Sequence, residues 1–196
     1  MNLMLAFSIF ALGFEAGGGV TWEQPFGKDI EDFSGTLSWC AEAGIRDILP
    51  GIGFDLGMRR FGVEREIEVD SVAHLMRWEG YFYDGSAVFE SWPYLKGPLG
   101  VRFRAGGFYS PWRMLDNGQV VVIPSTDTLS DTLYMEEKDF GVLLGGSLMF
   151  RPLPFLILDL GINHRQIFSL DASKYGDEDE DERFMEAYLG ARFRFR

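Results

Sequence analysis

Charged side chains recur at every second position along several segments, each interleaved with apolar residues. The acids so placed are Glu15, Glu42, Asp55, Glu79, Asp159 and Glu186; the bases are Arg46, Arg59, Arg77, Arg102, Arg104, Arg165, Arg192 and Arg194. Arg rather than Lys fills these positions, which suits multi-donor pairing with carboxylates in a tight space. Two chemistries fit the set: a paired network that fills a narrow interior, or a charged path for small ions. An unpaired buried charge is costly, so the near balance of acids and bases favours the network. The two histidines, His74 and His164, fall with Arg60 on the opposite, apolar face near strand ends. There they suit contacts with anionic lipid headgroups. A lipid-deacylating site would need a serine nucleophile beside the histidine, and the residue two after His164 is Gln166. Asp177-Glu178-Asp179-Glu180-Asp181-Glu182 offers oxygen ligands but no turn glycine, so it reads as a solvated, repulsive loop. Cys40 is the single cysteine and reads as a small buried residue. No catalytic set, metal-ligand set or phosphate-cradling loop stands out, and no cofactor is implied.

The elements that carry these residues alternate with period two, which is the pattern of a strand and not of a helix. Phe10 to Trp22, Leu37 to Arg46, Ile52 to Arg59, 72–83, 100–106, 140–151, 156–165 and 185–195 make eight strands of roughly ten residues, enough to cross a bilayer at a tilt. In 72–83 the expected faces are Val72, Met76, Trp78, Gly80 and Phe82 on one side, and Arg77, Glu79, Tyr81 and Tyr83 on the other. Short links at 47–50 and 152–154 oppose longer polar ones at 23–33, 111–137 and 170–182. The link at 64–71 reads as a projecting hairpin, and 84–98 as a long turn with room for a helical segment.

Alternation alone leaves open which face meets water. The polar face combines Gly with Arg and acids, as a narrow lumen requires. The apolar face carries Trp22, Trp39, Trp78, Tyr109, Phe150 and Phe155 near strand ends, as membrane girdles do. Leu12, Phe54, Leu144, Leu158 and Leu189 are therefore expected to face lipid, with Tyr81, Tyr83 and Tyr188 hydroxyls serving the lumen. The final strand, with Met185, Leu189, Phe193 and Phe195 at alternate positions, resembles that of the small eight-stranded bacterial outer-membrane β-barrel family. That resemblance implies an all-β, eight-stranded antiparallel up-and-down transmembrane β-barrel over residues 1–196, placed in a bacterial outer membrane by the barrel-assembly machinery and surrounded by outer-membrane lipid. The resemblance says little about activity; the residues themselves lead to the expectation of a non-catalytic role with loop-mediated contacts, with a narrow channel for small or hydrophobic solutes and a lipid-modifying enzyme as alternatives.

Composition sets the outer limits. The chain has 196 residues and a net charge of -12, which argues against a nucleic-acid partner. Gly occurs 24 times and Phe 18 times, a combination unlike an ordinary helical domain. Residues 3–14 form the longest apolar run, read either as a signal-peptide remnant or, in its second half, as the start of the first strand.

Overall fold

The computed structural model describes residues 12–26, 30, 32–92, 97–124, 132–168 and 182–195. The beginning of the 3–14 run, most of the acidic run and Arg196 lie outside them. Eight long strands dominate: β1 Gly13–Phe26, β2 Leu37–Leu49, β3 Ile52–Val69, β4 Val72–Glu90, β5 Leu99–Asp116, β6 Glu136–Leu153, β7 Leu156–Phe168 and β8 Arg183–Phe195. Each pairs antiparallel with the next, and β8 closes on β1, so the sheet is a barrel without free long edges.

Local sequence explains the tight links. Asp70 and Ser71 both have positive φ between the paired Val69 and Val72, which gives a two-residue hairpin whose twist matches its strands. Asn117 and Gly118 do the same between Asp116 and Gln119. The link read at 64–71 is thus a hairpin, with β3 and β4 paired to its tip. Two expected links are partly strand: β4 runs on to Glu90, and β5 and β6 continue to Asp116 and from Glu136. In each case inter-strand hydrogen bonding satisfies backbone groups that a loop would leave to water.

The barrel exterior is apolar through a broad band. Leu148 is 65 % exposed and Leu160 59 %, with Phe54, Leu144, Leu158 and Leu189 likewise facing outward. A surface of this kind needs lipid around it, and a closed sheet is the strand arrangement that can satisfy its backbone there. Trp22, Trp39, Tyr81, Tyr83, Tyr109 and Phe140 mark the band's border at the end away from the chain termini; Tyr81–Tyr83, Tyr83–Tyr109 and Tyr109–Phe140 are in ring contact. β3, β4, β5 and β6 project past this border; β1, β2, β7 and β8 stop close to it.

Candidate functional site

The lumen holds seven buried arginines, Arg46, Arg59, Arg102, Arg104, Arg165, Arg192 and Arg194, which pair with seven buried carboxylates, Glu15, Glu42, Asp55, Asp84, Glu90, Asp159 and Glu186; Glu23 and Asp139 are buried on the inward side as well. Every one of these arginines meets at least one of the acids. Nearer the termini, Arg46 Nη2 lies 2.8 Å from Glu15 and its Nε 3.1 Å from Glu90. Arg102 reaches Glu15 at 2.9 Å and Asp159 at 2.8 Å, and Arg194 reaches Glu90 at 2.5 Å. Higher in the barrel, Arg104 donates to Glu42 at 2.6 Å and to the Tyr188 hydroxyl at 3.0 Å. Arg192 bridges Asp159 at 2.8 Å and Asp55 at 3.3 Å, and also meets Glu42. Arg165 holds Glu186 at 2.8 Å, while Arg59 meets Glu42 and donates to Asp84 at 3.3 Å.

Glycine makes the room. A Cβ at Gly57 would lie 2.6 Å from an Asp84 carboxylate oxygen, and one at Gly44 2.6 Å from an Arg46 guanidinium nitrogen. The seven arginines are matched by the seven acids that they meet, and Glu23 and Asp139 are further buried acids outside that pairing. Mutual pairing offsets the desolvation of each ion, but removing one partner would leave a buried charge uncompensated.

Apolar layers lie above and below the charges. Towards the far end Phe61, Val63, Trp78, Phe82, Phe108, Leu143, Ile167 and Phe184 form a buried cluster, capped by Ile30 and Phe33 of the β1–β2 link. Phe61 stacks on Phe82 with centroids 4.5 Å apart, and Phe184 packs edge-on to both. At the terminal-bearing end Trp92, Met149 and Ile157 form a second buried cluster. The barrel therefore reverses its dress at the aromatic border. Within the apolar band charges point inward; beyond it aromatic side chains fill the interior, with Asp139 buried there as the acceptor of the Trp112 indole N–H.

That reversal corrects several expectations. Trp78 and Phe82 face inward, with Met76 packed against their cluster, while Tyr81 and Tyr83 face outward. Arg77 and Glu79 lie outside the lumen: Arg77 pairs with Glu64 at 2.6 Å, and Glu79 accepts from Arg60 at 3.0 Å and Arg113 at 2.7 Å. The parity of β4 is continuous, but above the border its polar side is the outer one. Asp84 and Glu90 take inward places that the sequence reading assigned to a turn. His74 shares the inward parity of Trp78, lies opposite Ile67 rather than beside Arg60, and its Nδ1 is 2.8 Å from Asp116. It is not a lipid-facing residue. His164 faces outward, opposite Leu144 and Met185. Cys40 is a buried free thiol on the lumen side.

No family model and no curated protein matches this chain. Solved structures do. Neisserial surface protein A is 12 % identical with a TM-score of 0.62, covering 93 % of this chain and 97 % of that one. A major outer membrane protein of Thermus thermophilus is 15 % identical with a TM-score of 0.61, covering 94 % and 100 %. The Yersinia pestis attachment invasion locus protein, solved with the heparin analogue sucrose octasulfate, is 12 % identical with a TM-score of 0.54, covering 94 % and 99 %. At these identities the likeness is one of fold: this chain has the fold of the small bacterial outer-membrane β-barrels.

Proposed function

We propose that this chain is an integral, non-catalytic protein of a bacterial outer membrane, with a sealed lumen, and that it acts through the strands and loops projecting beyond the aromatic border. The complete pairing of the seven lumenal arginines carries this reading. Arginine cannot shed its proton to escape burial, so an ion crossing the lumen would have to separate carboxylate–guanidinium pairs and then pass a layer of packed aromatic rings. In this reading the machinery that assembles outer-membrane barrels inserts the chain, lipid surrounds it, and Arg60 and His164 lie near headgroups at the rim.

The projecting end also says what kind of contact suits it. Glu64, Glu66, Glu68, Asp70, Asp116, Glu136 and Glu137 outnumber Arg65, Arg77, Arg113 and Lys138 there. The Yersinia protein was solved with a polysulfated ligand; an acidic end would repel such a ligand and attract a cationic partner. Planar-bilayer recording separates a sealed barrel from a narrow channel. Purified wild-type protein is expected to give no current above that of the lipid alone, and steady single-channel currents would replace this reading with the channel.

A further inference from the structure

Arg151 stands apart from the lumenal arginines. The pairing of β6 with β7 gains a residue between Phe150 and Leu153, and such a bulge re-aims the side chains it carries. The Arg151 backbone N–H donates to Pro98 at 2.7 Å, which ties the bulge to the start of β5. Its guanidinium lies 4.8 Å from the centre of the Trp92 ring, and Arg194 lies 5.5 Å from the same ring. Arg194 is paired with Glu15 and Glu90. Arg151 has no carboxylate within ion-pair distance among the described residues. A cavity of about 660 Å³ opens beside it, lined by Pro98, Leu153, Pro154, Phe155 and Arg194 and by no acid.

The position of the cavity points to its ligand. Leu99, Leu153 and Phe155, all exposed, mark the edge of the apolar band at the terminal-bearing end. Phosphate is the common anion of the headgroup layer at that height. Cation–π contact with Trp92 fixes the guanidinium plane before any ligand arrives, so less rotamer freedom is lost when an anion binds. The fork of N–H donors then matches two phosphate oxygens. We propose that this pocket binds a phosphate group, with Arg151 as its ligand and Trp92 holding Arg151 in position. A phospholipid headgroup and a free phosphate ester share that chemistry.

The test uses full-length protein in a maltoside detergent free of phosphate. Inorganic phosphate and short-chain phosphatidylglycerol are titrated separately, reading the Trp92 indole N–H signal, assigned with Trp92→Phe, and the phosphorus line width of the titrant. Saturable changes are expected in wild type, with affinity weakened at least about tenfold in Arg151→Gln and by less in Arg151→Lys, which keeps the charge but loses the fork. A response to the lipid alone assigns the headgroup as the source; a response to both admits free phosphate esters. The other indole signals report that each variant is folded. The proposal is overturned if neither titrant produces a saturable change, or if folded Arg151→Gln titrates as wild type does.

Discussion

Glu15 on β1 and Arg102 on β5 meet at 2.9 Å although their strands stand on opposite sides of the barrel. One ion pair thus spans the bore. An eight-stranded barrel has an interior that side chains can fill, and here the filling is electrostatic at mid-height and aromatic above. Arg102 also meets Glu90 and Asp159, so it ties β1, β4, β5 and β7 together across the lumen.

Removing that tie should cost stability. Arg102→Ala leaves Glu15, Glu90 and Asp159 with fewer cations in a buried site, for which a loss of about 3–5 kcal/mol is expected. Reversible urea unfolding in lipid vesicles measures it. A loss no larger than that for a surface arginine such as Arg65→Ala would show that the pairs add nothing.

The aromatic layer should behave as a packed core. Phe82 is fully buried and contacts Phe61, Phe108 and Phe184. Phe82→Ala should destabilise the barrel by about 3–5 kcal/mol and still leave it electrically silent, because the charged layer beneath is intact. Current through this variant would place the seal in the rings alone.

Depth sets the cost of an outward charge. Leu158→Arg, within the apolar band, should destabilise by about 2–4 kcal/mol, and His164→Arg, near its border, by about 0–1 kcal/mol. Equal losses in the same unfolding assay would contradict the assigned membrane position.

The Arg60–Glu79–Arg113 cluster should make stability depend on pH in one direction. Burial raises the Glu79 pKa, but the hydrogen bonds from Arg113 and Arg60 outweigh it and hold the carboxyl below its ordinary 4.5. A group with a depressed folded pKa stabilises above its unfolded pKa and loses that contribution as pH falls through the folded value. The fall in unfolding midpoint between about pH 7 and about pH 3 should be smaller in Glu79→Gln than in wild type. An identical fall would remove Glu79 from the account.

Where the chain lies within lipid, its sequence was readable. Parity placed Glu15, Glu42, Arg46, Asp55 and Arg104 inward and Phe54, Leu144 and Leu189 outward, because one face meets hydrocarbon and the other a narrow polar space. The same rule failed on β4. Trp78 and Phe82 look lipid-facing beside Arg77 and Glu79, yet at that height water lies outside and the core inside. Nothing local in 72–83 marks the height at which the solvent changes. Asp84 and Glu90 were missed for a related reason: Asp84-Gly85-Ser86 reads as a turn until its pairing with β3 and β5 is seen.

Cys40 offers the most direct test of the sealed lumen. It is a buried free thiol, paired in register with Arg59 at the level of the charged network. Full-length protein folded in vesicles is exposed to a small, charged, membrane-impermeant thiol reagent, and modification is followed by intact mass. Wild-type Cys40 is expected to stay unmodified in the folded barrel and to react completely once the protein is unfolded. Modification of the folded wild type at the rate seen for the unfolded chain would show a continuous water path and contradict the account.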